Sequence, residues 1–194
     1  MNKKIPFPGF PKGDFGTIRK TILLTAKDFS ECKEEPEISD VRNKKIATLL
    51  NILADGMTNE YLYQEIYKEV DNNFEMFRNW WNREAYESVG GEIGSGKKIM
   101  VDLENNKDPR VLKLAQHCLG LSLDGFEKLQ RQLLYTESPS PLESMSFDPN
   151  FPEQLRVFNK IIWMIFMSIF YPNGLSMVTK MFIKASSKVG KNLA

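Results

Sequence analysis

The sequence predicts a mainly α-helical fold, a bundle of five to six helices with at most a small β-hairpin or strand pair. Three observations predict it. Apolar side chains recur at helical spacing between residues 62 and 81, capping residues precede several apolar stretches, and proline or glycine separates these stretches. A chain of 194 residues suits one domain and can bury a core without disulfides or metal.

The N-terminal residues 1–16 are predicted to form a flexible basic arm, because proline and glycine interrupt them and no period is present. The next segment, Thr17–Ala26, is apolar and β-branched, and a run this short leaves strand and helix open. The acidic segment Lys27–Asp40 is predicted to be an exposed loop. The candidate interaction residues of the arm are Phe7, Phe10 and Phe15.

Two helices are predicted next. The first covers Val41–Ala54, with Ser39 or Asp40 as N-cap and Gly56 as the stop after it. Its buried stripe is predicted to be Ile46, Leu49, Leu50 and Leu53. The second begins after Thr58 and continues to about Ala85. Its steps of three and four residues define one helical face, predicted to be core: Leu62, Ile66, Val70, Phe74, Phe77 and Trp81.

The middle of the chain combines weaker signals. Residues 89–108 are glycine-rich with a strand-like stretch, and further helices are predicted after Asp108-Pro109 and after Asp124. Four prolines in residues 136–152 predict a long loop or linker. The expected organisation is therefore a helical core over 17–135, this linker, and a C-terminal helical hairpin over 153–194 that packs on the core.

The helix predicted over Glu153–Tyr171 is strongly apolar in its second half. The apolar run Ile161–Tyr171 is shorter than the roughly 18 residues that a membrane span needs, so we expect no transmembrane span. A helix buried on most sides, or one that meets a partner, fits this composition better. Its candidate interaction residues are Trp163, Phe166 and Phe170.

The last predicted helix, Leu175–Val189, has two different faces. One is apolar at steps of three and four residues: Leu175, Val178, Phe182, Ala185 and Val189. The other carries a lysine stripe: Lys180, Lys184, Lys188 and Lys191. Such a stripe is typical of a solvated face, and it also suits an anionic bilayer or phosphates. At the other end of the chain, the arm adds the candidate anion-binding residues Lys3, Lys4 and Lys12.

The segment Gly91–Lys97 fits the first seven positions of the phosphate-binding loop G-x-x-x-x-G-K. The next residue is Lys98, where the motif needs a Ser or Thr hydroxyl for Mg²⁺, and a helix rather than a strand precedes it. A turn, a looser anion-binding loop and a nucleotide site are the alternatives. The candidate anion-binding residues here are Gly94, Gly96, Lys97 and Lys98.

No catalytic or metal-ligating set stands out, and no cofactor is expected. The single histidine, His117, adjoins Cys118, and neighbouring helical side chains diverge by about 100°, so the pair suits neither one metal ion nor Cys–His catalysis. The other cysteine, Cys32, lies far away in the sequence. With two cysteines and no signal-peptide pattern, we expect a cytoplasmic protein that is not secreted.

The charge distribution is polarised. Residues 1–20 and 172–194 each carry a net charge of +4, and the overall charge is +1, which leaves −7 for the residues between. Basic ends on an acidic body suit an anionic partner or docking on a neighbouring copy. The sequence therefore favours a non-enzymatic protein that binds a protein partner or self-assembles. The profile fits a structural or regulatory viral protein of matrix, nucleocapsid-associated or host-antagonist type. RNA or an anionic membrane surface is the alternative partner, and nucleotide binding at Gly91–Lys97 is a further alternative.

Overall fold

The computed structural model describes residues 14–31, 37–88, 110, 114, 153–169 and 172–193. This part of the chain contains five helices and no strand. They are α1 (Asp14–Glu31), α2 (Glu37–Gly56), α3 (Glu60–Ser88), α4 (Glu153–Ile169) and α5 (Pro172–Leu193). The prediction of a mainly α-helical fold is confirmed. The helices predicted after residues 108 and 124 lie outside the described residues, except that Arg110 and Leu114 are helical.

The structure resolves the alternative left open at Thr17–Ala26 in favour of a helix, and α1 extends beyond this segment at both ends. Its first residue is Asp14, so the last three residues assigned to the arm are helical. Its buried side chains Ile22, Ala26 and Phe29 follow steps of four and three residues. The loop predicted over Lys27–Asp40 is therefore wrong at both ends, since residues 27–31 belong to α1 and residues 37–40 to α2.

A short turn joins α2 to α3, and backbone hydrogen bonds define it. The N–H of Met57 donates to the carbonyl of Leu53 at 3.0 Å, and the N–H of Thr58 donates to the carbonyl of Asp55 at 3.2 Å. Asn59 is the N-cap of α3, because its Oδ1 accepts a hydrogen bond from the N–H of Leu62 at 3.2 Å. The predicted boundary between these helices is thus correct to within about two residues.

The chain divides into two compact units. The first consists of Met1–Asn72 together with Met164–Ala194, and the second is Asn73–Trp163. In the first unit, α2 packs against both α1 and α5. Arg19 on α1 donates from Nε to the carbonyl of Ala54 at 2.9 Å, which satisfies one of the carbonyls that the last turn of α2 leaves unpaired. Lys45 on α2 donates to Ser176 Oγ on α5 at 2.7 Å.

The core of the first unit contains predicted apolar stripes together with buried residues of α1 and α4. All four residues of the α2 stripe are buried, as are all five apolar residues predicted for α5. On α3, Leu62, Ile66 and Val70 are buried in this unit. On α4, the buried residues of this unit include Met164, Ile165 and Ile169. The helical spacing in the sequence therefore identified the core faces of α2 and α5 and that of α3 as far as Phe77, while the side chain of Trp81 lies outside the described set.

In the second unit, α3 continues its stripe with buried Phe74 and Phe77. The ring of Phe77 lies 5.4 Å from that of Trp80, and the ammonium of Lys160 on α4 lies 4.6 Å from the centre of the Phe74 ring. This cation–π contact links α3 to α4 within the second unit.

Candidate functional site

A cluster of opposite charges joins α3 to α5 in the first unit. Glu69 on α3 lies 3.1 Å from the Nζ of Lys188 and 3.3 Å from the Nζ of Lys184. Glu65, one turn earlier on α3, lies 3.5 Å from Lys188 and 3.0 Å from Lys68. We call Glu65, Glu69, Lys184 and Lys188 the α3–α5 charge cluster.

Helical spacing builds this cluster. The two glutamates are four residues apart on α3, and the two lysines are four residues apart on α5, so each pair lies on one side of its helix. Each glutamate precedes a buried residue of the α3 stripe, Ile66 or Val70, and therefore lies at the edge of the core. The burial of those apolar faces brings the carboxylates within reach of the α5 lysines.

The partners differ in exposure, which decides how each contributes. The Glu69 side chain is only 6% exposed, whereas the side chains of Lys184 and Lys188 are 64% and 44% exposed. A buried carboxylate needs nearby positive charge, while a solvated ammonium loses little when it is left alone. Glu69 therefore depends on the lysines more than the lysines depend on it.

The pKa values of two cluster members shift in the direction that favours the charged pair. Burial raises the pKa of Glu65, but hydrogen bonds and charge from Lys68 and Lys188 outweigh this effect, so the pKa lies below its ordinary 4.5. For Lys188, the hydrogen bond to Glu69 is the largest effect, and the charges of both glutamates act in the same direction. The pKa of Lys188 is raised above 10.5.

The lysine stripe predicted as an anion-binding surface is thus partly engaged within the chain. Lys184 and Lys188 belong to the α3–α5 charge cluster, while Lys180 is exposed on the same helix. Lys191 is the last lysine of α5, and its side chain lies outside the described set. The remaining candidate anion-binding residues lie outside the described residues: Lys3, Lys4, Lys12, Gly94, Gly96, Lys97 and Lys98.

The aromatic residues predicted as interaction candidates occupy helices or lie beyond them. Phe15 is in the first turn of α1, and Trp163 and Phe166 are in α4, but their side chains are not among those described. Phe7, Phe10 and Phe170 lie outside the described residues, as do Cys32, His117 and Cys118. Among the residues that are described, no three His, Cys, Asp or Glu side chains come together in a group that could hold a metal ion.

The described surface carries large apolar side chains at scattered positions. They are Leu24, Val41, Tyr61, Met76 and Ile183. Tyr61 and Met76 are 15 residues apart on α3, and the other three lie on three different helices. Single exposed apolar residues are normal on a folded protein. Only Ile183 adjoins the lysine stripe.

Sequence reasoning missed two features. One is the partnership of Glu65 and Glu69 with α5, which the spacing of the two acids beside the α3 stripe could suggest but not assign to a partner. The other is Asn43, which is fully buried and whose amide nitrogen and oxygen have no hydrogen-bond partner among the described residues. Asn43 lies three residues before Ile46, so helical spacing already puts it on the buried stripe of α2.

No protein-family model, curated protein or solved structure matches this chain. Over the described ranges, none of the five helices has the length and apolar content that crossing a membrane requires. The geometry of the α3–α5 charge cluster is therefore the basis for the functional argument.

Proposed function

We propose that this chain is a non-enzymatic, cytoplasmic interaction protein that binds a protein partner or self-assembles as a structural or regulatory component. A role in a viral assembly, of matrix, nucleocapsid-associated or host-antagonist type, fits the same profile. The observation that carries the proposal is the α3–α5 charge cluster, in which the basic C-terminal helix meets carboxylates on a helix of the acidic body.

The cluster supports a protein partner because of what its lysines contact. Lys184 and Lys188 lie against carboxylates that are fixed on a helix four residues apart. The body of the chain, residues 21–171, carries a net charge of −7, and the two ends carry +4 each. The acidic body of a neighbouring copy is therefore a similar surface for the basic N-terminal end. Attraction between basic ends and acidic bodies, within and between copies, is the physical basis of the proposed self-assembly.

The N-terminal arm supplies the apolar part of the proposed interface. Phe7 and Phe10 lie in a segment whose prolines and glycines predict no periodic structure, and it precedes α1, which begins at Asp14. Aromatic side chains bury much apolar surface when they enter a partner's pocket, so two of them can anchor a basic arm.

The test is the solution mass, measured by size-exclusion chromatography with light scattering. A chain that lacks residues 1–13 keeps α1 intact, and the double variant Phe7→Ser, Phe10→Ser removes only the anchors. Both should lower the assembly mass. The companion variant Lys3→Gln with Lys4→Gln keeps the aromatic rings but removes two charges of the basic arm, and it should lower the assembly mass at low salt more than at high salt. A wild-type chain that is monomeric at all concentrations, or a mass unchanged by both arm variants, would contradict assembly through the arm.

A second candidate function is binding to RNA or to acidic lipid through the basic ends. The specific observation in its favour is that Lys180 is exposed and that Lys184 and Lys188 keep about half of their side-chain surface or more. Its test is the salt dependence of binding, because phosphate contacts weaken steeply as salt rises. An affinity that stays flat between low and physiological salt would reject it.

A further inference from the structure

The outward face of α5 is basic and contains one apolar side chain. Lys180, Ile183, Lys184, Ser187 and Lys188 are all exposed, at steps of three and one residues that keep them on one side of the helix. The opposite face is buried in the core of the first unit. This outward face, which we call the α5 lysine face, is available without unfolding any part of the core.

The chemistry of the α5 lysine face fits an anionic lipid surface better than a nucleic acid. Ile183 is 46% exposed between lysines, and an apolar side chain flanked by ammonium groups suits the boundary between acyl chains and anionic headgroups. The exposed residues of this face include no arginine and no aromatic ring, the side chains that read or stack on bases.

Two of the three lysines on this face are held by α3. If Lys184 and Lys188 turned towards lipid phosphates, the buried carboxylate of Glu69 would lose both of these ion pairs, which is unfavourable. Lipid headgroups must therefore compete with Glu69, and to a smaller degree with Glu65, for the same ammonium groups.

We propose that Glu65 and Glu69 autoinhibit binding of the α5 lysine face to anionic membranes. This inference rests on the second candidate function and goes beyond it, since it assigns the face, the lipid chemistry and the residues that restrain it. A lysine near an anionic leaflet contributes about fivefold in affinity, which corresponds to about 1 kcal/mol. Releasing two lysines should therefore tighten vesicle binding by about 20- to 30-fold.

The experiment measures co-sedimentation of the full chain with vesicles of phosphatidylcholine and phosphatidylserine. Glu69→Gln keeps the shape of the side chain and removes the charge, and it should bind these vesicles more than tenfold tighter than the wild type. Lys184→Gln with Lys188→Gln, added to Glu69→Gln, should remove the gain. Glu75→Gln is the matched control, because Glu75 is exposed on the same helix outside the cluster, and it should leave affinity unchanged.

Each alternative outcome is decisive. Equal binding of wild type and Glu69→Gln, or no binding by either, overturns autoinhibition, and so does an equal gain in Glu75→Gln, which would indicate net charge alone. A gain for single-stranded RNA but not for vesicles overturns the membrane assignment. If Glu69→Gln loses its helical circular dichroism, Glu65→Gln replaces it with an expected gain of less than about fivefold, because Lys188 keeps its contact with Glu69. The proposed self-assembly is tested separately, by the solution mass of the arm variants, so its failure can be told apart from a failure of autoinhibition.

Discussion

Replacing Asn43 by leucine tests whether the buried amide of Asn43 lowers the stability of the first unit. The amide of Asn43 is fully buried on the core side of α2, and neither of its polar atoms has a hydrogen-bond partner within the described ranges. A buried polar group without a partner costs about 1–3 kcal/mol, whereas an apolar group of the same shape at that position does not. Leucine has nearly the same shape, so Asn43→Leu should raise the free energy of unfolding by about 1–3 kcal/mol.

The position of the tryptophans makes the assay specific to one unit. All three tryptophans, Trp80, Trp81 and Trp163, lie in the second unit, so their fluorescence reports on residues 73–163. Far-UV circular dichroism follows the helices of both units. Urea denaturation of Asn43→Leu should move the dichroism midpoint upwards, and each kcal/mol should raise the melting temperature by about 2–4 °C. If the units unfold separately, the fluorescence midpoint should move less.

The control is Asn51→Leu, since Asn51 is exposed on the same helix and the change should stay within about 0.5 kcal/mol. A loss of stability of about 1 kcal/mol or more in Asn43→Leu would refute the reasoning. It would mean that the amide forms hydrogen bonds in solution that leucine cannot replace. Asn43→Ala distinguishes lost hydrogen bonds from a steric misfit of leucine, because it removes the amide without adding methyl groups.

Three further predictions concern the same unit. In Gly56→Ala, the new Cβ would lie 2.8 Å from Ile66 Cδ1, so the crowding should offset the gain of about 0.5–1 kcal/mol that alanine brings to a helical glycine position, and adding Ile66→Val should restore part of that gain in urea denaturation. Arg19→Met keeps the apolar stem but removes the 2.9 Å bond to the Ala54 carbonyl, and it should cost about 1 kcal/mol in the same assay. Because folding lowers the pKa of Glu65, the ionised Glu65 stabilises the folded chain above pH 4.5, and this contribution is lost as the pH falls through the lowered pKa. Glu65→Gln should therefore reduce the fall in melting temperature at acid pH.

The helices and their buried faces could be predicted from sequence because long periodic segments leave little choice. The steps of three and four residues on α3 and α5 define one face each, and burial of these stripes follows from the size of the apolar side chains. At α1 the same signal left strand and helix open, for the opposite reason. Thr17–Ala26 is a short apolar run that fits strand or helix, and only packing of Phe29 on the core shows that the helix continues.

The burial of Asn43 could be predicted from the sequence, but the hydrogen bonding of its amide could not. The spacing to Ile46 puts it on the buried stripe, yet a sequence does not show whether a neighbouring helix supplies a donor or an acceptor. The α3–α5 charge cluster was less accessible still, because Lys188 and Glu69 are 119 positions apart in the chain. A pair this distant depends on how α3 and α5 pack, which no local pattern contains.

The lysine stripe of α5 shows why charge spacing alone does not identify a function. Lysines at steps of four and four residues look the same on a solvated helix, on a membrane-binding helix and on a helix docked against carboxylates. What separates these cases is the burial of Glu69, since a carboxylate that is 6% exposed holds its lysines where an exposed one would release them. The same lysines cannot serve Glu69, a neighbouring copy and a lipid headgroup at once. Binding of Lys184 or Lys188 to an outside partner must therefore be coupled to the loss of their ion pairs, and for both lysines that coupling runs through Glu69.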